Sequence, residues 1–82
     1  MTSSERQVRD LLSAIVGPQV AESVAGDEFL FDQGIVDSLH LVQLVEALES
    51  SCGIVVEGDE LRPENFGSVD AMAAYVERKG PR

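Results

Sequence analysis

The fold of this chain is set by residues 37–49, which read DSLHLVQLVEALE. Apolar side chains recur in this stretch at the spacing i, i+3, i+4 and i+7, at Leu41, Leu44, Val45 and Leu48. Because an α-helix turns once every 3.6 residues, this spacing places the four side chains on one face. We therefore predict an amphipathic helix, with Asp37 or Ser38 as its N-cap and Gly53 after its end.

Two other segments repeat the same apolar spacing. They carry Val8, Leu11, Leu12 and Ile15 before this helix, and Val69, Met72, Ala73 and Val76 after it. We call each of these three sets of four apolar side chains a stripe. Three stripes that face one another suffice for the core of a small bundle. Residues 63–66, which begin with a proline, predict one further helical turn. The predicted fold class is all-α: a small four-helix bundle of three long helices plus one short third helix, in a single domain over residues 1–82.

The helix boundaries and connections follow from local signals. Thr2 with Glu5 fits a capping box for the first helix, and Ser68 can cap the last. The connection from residue 17 to residue 37 is long for so small a domain. We expect a short turn near residues 20–24, and four apolar side chains pinning the connection to the core, at Phe29, Leu30, Phe31 and Ile35. The apolar residues 54–56 have no partner strand, so we predict a loop packed on the core.

The charges are strongly one-sided. The chain has 15 acidic and 6 basic residues, and residues 10–61 hold eleven acids and no Lys or Arg. Nucleic acid and anionic membranes are excluded as partners, because both need clustered basic residues. A basic protein partner is the natural complement. No apolar run approaches the ~20 residues that cross a bilayer, and the single cysteine forbids an internal disulfide, so we expect a cytoplasmic protein.

Signals for catalysis and metal binding are sparse. Ser38 and His40 could form a nucleophile and its base, but positions i and i+2 of a helix face different ways. We therefore expect His40 to be an exposed surface residue, and Cys52 a small core residue. Neither Asp27 nor Asp32 begins a calcium loop of the EF-hand type, and no metal site is predicted. A small hydrolase is a minor alternative.

The remaining motif is Gly34-Ile35-Val36-Asp37-Ser38-Leu39, where the long loop meets the predicted helix. It presents a serine hydroxyl at a helix N-terminus, beside a carboxylate and an apolar side chain. Taken alone, Ser38 could be an ordinary N-cap residue. A more specific meaning for the motif comes from the pattern of the whole chain.

Over residues 5–77 the chain resembles the acyl carrier and peptidyl carrier protein family. The resemblance rests on residues 29–39 with their Asp-Ser-Leu motif, on the second-helix pattern, and on residues 66–69 of the ending. The matching positions of the second helix and the ending are Val42, Leu44, Val45, Ala47, Leu48, Glu49, Ala71 and Tyr75. The resemblance implies that Ser38 bears a 4′-phosphopantetheine arm, moved from coenzyme A by a phosphopantetheinyl transferase. The arm's thiol would hold an acyl or aminoacyl group as a thioester, and the protein would have no catalytic activity of its own.

The residues beside Ser38 fit this role. Asp37 could position the serine or meet a basic partner, and Leu39 and Val42 offer a small apolar contact. Glu46 and Glu49 lie further along the helix and suit Arg or Lys on a loading enzyme or a downstream synthase enzyme. We expect the carrier to be a monomer that exchanges quickly between such partners.

Departures from the family pattern bear on the cargo. Two residues, not one, separate Gly34 from the Asp-Ser-Leu motif, and the second helix has fewer acids than most fatty-acid carriers. These features favour a discrete carrier of specialised metabolism, or a D-alanyl-type carrier, over a housekeeping fatty-acid carrier. Of these we expect a carrier of polyketide or nonribosomal peptide biosynthesis, as in antibiotic pathways. A D-alanyl-type or fatty-acid carrier is the alternative, and a non-covalent acidic helical adaptor is an alternative of another class.

Overall fold

The computed structural model describes residues 3–32 and 34–80. Its helices are α1 (Ser3–Val16), α2 (Pro18–Ser23), α3 (Ser38–Cys52), α4 (Pro63–Phe66) and α5 (Val69–Lys79), with a 3₁₀ turn at Gly58–Glu60. No strand occurs within the described ranges, so residues 54–56 form a loop as predicted. The all-helical bundle, with three long helices and a short helix at residues 63–66, is confirmed. The N-cap predicted at Thr2 lies outside the described residues.

A helix replaces the turn expected near residues 20–24. Gly17 adopts φ 100° and ends α1, and Pro18 starts α2 at once, because its fixed φ suits the first helical position. Arg9 on α1 is only 6% exposed. Its Nη1 donates to the carbonyl oxygens of Ala21 (2.8 Å) and Val24 (2.9 Å), which end α2. A short helix is thus held by a buried cation that the apolar pattern could not reveal.

The core lies between α1, α3 and α5. The three apolar stripes supply most of its fully buried members, joined by Ala21 and Leu30, and two aromatic rings are its largest side chains. Those with no exposed surface include Val8, Leu12, Leu44, Leu48, Val69 and Met72. Phe66 and Tyr75 are also buried, with ring centroids 5.0 Å apart. Leu11, Ile15 and Val45 are only half-buried at the edge of this core.

Tyr75 links the core to the 3₁₀ turn. Its hydroxyl donates to the Glu60 carboxylate at 2.9 Å, and Lys79 forms an ion pair with the same carboxylate at 3.1 Å. Burial, followed by the hydrogen bond to Glu60, raises the pKa of Tyr75 above its ordinary value. These contacts fix the segment that precedes α4 against α5.

The long connection before α3 is pinned by backbone hydrogen bonds as well as by side chains. The Leu30 N–H donates to the Gly67 carbonyl at 2.8 Å, and the Asp70 N–H donates to the Gly26 carbonyl at 2.8 Å. Leu30 is buried as expected, and Phe31 and Ile35 pack against the core. Phe29 is 38% exposed and lies outside the core, with its ring centroid 5.7 Å from that of Phe31. Val36, two residues before Ser38, is the second buried anchor. The connection therefore delivers the start of α3 to a fixed place.

The predicted caps of α3 and α5 are present. Ser68 accepts a hydrogen bond from the Ala71 N–H at 3.1 Å and begins α5. Gly53 follows α3 in the left-handed conformation, with φ 67°, which glycine adopts without steric cost.

Candidate functional site

The start of α3 is capped by Asp37, which settles the choice between Asp37 and Ser38. Its carboxylate Oδ1 accepts a hydrogen bond from the His40 N–H at 2.9 Å. This backbone hydrogen bond is the main cause that lowers the pKa of Asp37 below its ordinary value. Ser38 is consequently the first residue of the helix, and its hydroxyl is not needed as a cap.

Ser38 is exposed, yet its backbone is held on both sides. Val36 is buried in front of it, and the Leu41 N–H donates to the Asp37 carbonyl at 2.9 Å behind it. Within residues 3–32 and 34–80 the Ser38 hydroxyl has no hydrogen-bond partner. An exposed, uncommitted hydroxyl on a fixed backbone can accept a covalent group without a loss of fold.

The helix that starts at Ser38 also favours an anion there. α3 is 15 residues long, and its first backbone N–H groups point toward the Ser38 end. The partial positive charge of a helix N-terminus stabilises a phosphate or carboxylate. The residues at this site therefore fit a phosphodiester attached to the serine.

The predicted docking residues lie along one exposed line of α3. Leu39, Val42, Glu46 and Glu49 follow one another at steps of three, four and three residues. Leu39 is 64% exposed and Val42 54% exposed, which is unusual for apolar side chains of a small domain. Glu46 is exposed beyond them. The line thus presents apolar surface first and a carboxylate one turn later.

Glu49 differs from the other members of this line. It is half-buried, and its Oε2 accepts a hydrogen bond from the Val56 N–H at 2.9 Å. The carboxylate therefore also holds the loop after α3, a structural role that the sequence pattern did not reveal.

An apolar groove opens on the helix face that carries Ser38. A cavity of about 260 Å³ is lined by Leu41, Val42, Val45, Glu46 and Leu61. The first four lie three, four, seven and eight residues after Ser38, which is the spacing of one helix face. A second cavity of about 330 Å³ shares Leu41 and Leu61, and is also lined by Phe29, Phe31, Arg62, Pro63 and Phe66. Sequence analysis missed Leu61, because a single exposed leucine in a loop carries no periodic signal.

His40 is less exposed than predicted. The side chain is 32% exposed, and its Nδ1 is shielded from solvent, 3.4 Å from the Asp37 Oδ1. No hydrogen bond joins its ring to Ser38 among the described residues, so the serine has no imidazole base there. Cys52 is buried as expected, and burial raises the pKa of its thiol. Neither residue supports nucleophilic catalysis.

The ion pairs formed by Lys and Arg in the described residues do not involve the start of α3. Arg6 pairs with Asp10 and Glu22, Arg9 pairs with Glu5, and Lys79 pairs with Glu60. In the described part of the chain no Lys or Arg pairs with the acids of α3 or with Asp37. The surface around Ser38 is therefore acidic and open to a basic partner.

No helix in the described ranges is both long enough and apolar enough to cross a bilayer.

Comparison with known proteins agrees with this geometry. A family model described as a phosphopantetheine attachment site matches residues 6–76. The chain is also 35% identical over 75 residues to the D-alanyl carrier protein of Streptococcus pyogenes serotype M5 (strain Manfredo), covering 92% of both chains. The D-alanyl carrier protein of Streptococcus pyogenes serotype M49 (strain NZ131) is similar to the same extent.

Proposed function

Because this chain belongs to the family of proteins with a phosphopantetheine attachment site, we propose that Ser38 is the residue that bears the group. The family's prosthetic group is 4′-phosphopantetheine, covalently attached. The observation that carries the proposal is the exposed hydroxyl of Ser38, without a partner among the described residues, at the first position of α3. When attached, the group supplies a thiol that can hold an acyl or aminoacyl unit as a thioester.

The side chains around Ser38 have separate tasks in this proposal. Asp37 caps α3 and leaves the serine hydroxyl free, and the N-terminal N–H groups of α3 offset the charge of a phosphodiester. Leu39 and Val42 give partner enzymes an apolar contact, and Glu46 gives them a carboxylate. Glu49 contributes negative charge while it holds the loop at Val56.

The proposed partners are proteins with basic docking surfaces. A phosphopantetheinyl transferase would modify Ser38, a loading enzyme would charge the thiol, and downstream enzymes would take the cargo. Charge attraction between exposed groups speeds encounter, while each exposed pair adds only ~0.2–1 kcal/mol, so the complexes stay short-lived. Members of this family generally have no catalytic activity of their own, and we propose the same for this monomeric, cytoplasmic carrier domain over residues 1–82.

For the cargo, the first candidate is an amino acid, and D-alanine is the one that the names of its relatives indicate. The second candidate is a building block of polyketide or nonribosomal peptide biosynthesis. The two residues between Gly34 and the Asp-Ser-Leu motif distinguish the chain from many fatty-acid carriers and fit either candidate. The two are separated by offering the modified protein D-alanine with its activating ligase, and in parallel acyl-coenzyme A units. The mass of the thioester that forms identifies the cargo.

The attachment site is tested by intact mass. The protein is incubated with coenzyme A, magnesium and a broad-specificity phosphopantetheinyl transferase. The unchanged protein should gain one phosphopantetheine group, and Ser38→Ala should gain none. Ser50→Ala is the control and should also gain one group, because Ser50 is an exposed serine near the other end of α3. Modification of Ser38→Ala would place the site elsewhere. An unmodified wild-type chain would favour the non-covalent adaptor.

A further inference from the structure

An imidazole nitrogen lies buried beside the carboxylate that caps α3. Nδ1 of His40 is shielded from solvent and has no hydrogen-bond partner among residues 3–32 and 34–80, although a third of the side chain is exposed. The nearest carboxylate oxygen is Oδ1 of Asp37, at 3.4 Å. A buried polar nitrogen without a partner is unfavourable, so this contact is one that a proton on Nδ1 would improve.

Asp37 already accepts a hydrogen bond from His40. The backbone N–H of His40 donates to Oδ1 of Asp37 at 2.9 Å, so the backbone and the ring of His40 both lie against this oxygen. Neutral imidazole can carry a proton on Nδ1 in one of its two tautomers, whereas the imidazolium is protonated on both ring nitrogens and adds a positive charge 3.4 Å from Oδ1 of Asp37. The proton comes from solvent and no other bond changes.

The other charged groups on the neighbouring elements form no ion pair with His40 or Asp37 within the described ranges. Arg62, which lines the cavity next to Leu41, forms no ion pair with Asp37 among the described residues. On α1, which packs against α3, Arg6 pairs with Asp10 and Glu22, and Arg9 pairs with Glu5. On α5, Lys79 pairs with Glu60, and Arg78 lies over the Tyr75 ring. No ion pair joins His40 to these groups, or to Asp32 in the preceding loop, among the residues that the structure describes. Asp37 is therefore the carboxylate that a charged His40 would neutralise.

We propose that His40 is a positioning residue for Asp37. Protonation of His40 holds the Asp37 carboxylate against the imidazole and weakens the negative charge presented beside Ser38. Histidine is the side chain that ordinarily titrates between pH 5 and 8. Basic partners are consequently recognised more strongly when His40 is neutral, and more weakly when it is charged. The effect on partners rests on the proposed function of Ser38.

The kinetic test compares loading of wild type and His40→Gln with one transferase from about pH 8 to about pH 5.5. Dividing the wild-type rate by the His40→Gln rate at each pH removes the transferase's own response to pH. The ratio should be near one at about pH 8, and should fall roughly two- to five-fold at about pH 5.5, the range that corresponds to one exposed ion pair. A ratio that stays flat would overturn the proposal.

A double-mutant comparison isolates the role of Asp37. In an Asp37→Asn background, His40→Gln should no longer change the pH profile, because the carboxylate that His40 acts on is gone. If the difference persists, the imidazolium acts through its own charge, and the proposal is wrong. As a matched control, adding Gln43→His to His40→Gln introduces an imidazole on the same helix without the contact to Asp37, and its profile should match that of His40→Gln.

A second readout needs no transferase. In the unmodified protein, the NMR signal of the Asp37 side-chain carboxyl carbon should move together with the His40 ring signals as the pH changes. In His40→Gln it should stay still over that range. A signal that ignores the state of His40 would refute the positioning role by itself. Failure of loading at every pH, with this NMR coupling intact, would instead refute the proposed function of Ser38.

Discussion

Arg9 donates a hydrogen bond of 2.9 Å from Nη1 to the carbonyl oxygen of Val24, while only 6% of the residue is exposed. The same nitrogen donates to Ala21, and Nε lies 3.4 Å from Oε2 of Glu5. One side chain of α1 thus closes the end of α2 where the loop toward Ser38 begins.

We expect Arg9→Met to lower the free energy of unfolding by about 3–6 kcal/mol. Two buried carbonyl oxygens would lose their donor, and hydrogen bonds to charged groups each contribute about 1.5–3 kcal/mol. Urea denaturation measures the change. Arg6→Met is the control, because Arg6 pairs with Asp10 and Glu22 at the exposed surface, and it should change the denaturation midpoint much less. Equal losses in the two variants would contradict the role assigned to Arg9.

Leu48 and Val42 should separate stability from recognition, although both lie on α3. Leu48 has no exposed surface, so Leu48→Ala should cost about 2–5 kcal/mol in the free energy of unfolding. Val42 is 54% exposed, so Val42→Ala should cost less than ~1 kcal/mol, yet it should raise the KM of the transferase. Calorimetry and loading kinetics measure the two effects. A Val42→Ala protein with unchanged kinetics would remove that side chain from the docking surface.

Reversing the charge of Glu46 should slow loading by partner enzymes without loss of stability. The carboxylate is exposed and belongs to the acidic surface around Ser38. Glu77→Lys makes the same charge change at an exposed position of α5 and should slow loading less. The difference between the two variants should shrink as salt rises, since charges further apart than ~8–10 Å are screened at moderate ionic strength. Equal kinetics in both variants would mean that shape alone guides docking.

Glu49 should behave differently, because its carboxylate accepts the Val56 N–H at 2.9 Å. Glu49→Lys loses this acceptor and should lower the free energy of unfolding by about 0.5–1.5 kcal/mol. Glu49→Gln keeps an amide oxygen at the same place and should retain most of that stability. Thermal melts of the two variants measure the difference in stability. A Glu49→Lys protein as stable as the wild type would show that the loop does not depend on the hydrogen bond from the Val56 N–H.

Two carboxylates should make the fold sensitive to acid. The Asp37 pKa is lowered mainly by the His40 N–H, and the Glu60 pKa is lowered mainly by the Glu57 N–H, followed by Lys79. When a carboxylate has a lower pKa in the folded protein than in the unfolded chain, its charged form stabilises the fold. That stabilisation is complete at pH values above the pKa of the unfolded chain and is lost as the pH falls through the pKa of the folded protein. The Tm should therefore fall below about pH 4, the ordinary range of carboxylates. The fall should be shallower in Glu60→Gln.

Acid also has an effect that would raise the Tm. Protonation of carboxylates lowers the repulsion among the negative charges of a chain whose net charge is −9. A Tm that keeps rising as pH falls to about 3 would show that this relief outweighs the specific hydrogen bonds of Asp37 and Glu60.

Local signals in the sequence were enough for α1, α3, α4 and α5 and for the candidate serine, but not for α2, where only a turn was expected. The apolar period that places Leu44 and Leu48 on one face requires only neighbours within two turns, and so does the cap at Ser68. The Asp-Ser-Leu motif pointed to Ser38 in the same way, through residues adjacent in the chain. Family membership over residues 6–76 confirmed the expectation of a carrier.

Contacts between distant residues were decided only by the tertiary structure. Arg9 lies 15 residues from Val24, and Tyr75 lies 15 residues from Glu60, so no local pattern links these partners. The half-burial of Glu49 and the groove at Leu61 likewise depend on how the loop after α3 folds back onto the helix. Periodicity tells which face of a helix is apolar, but long-range packing determines which polar atoms are left to pair with one another.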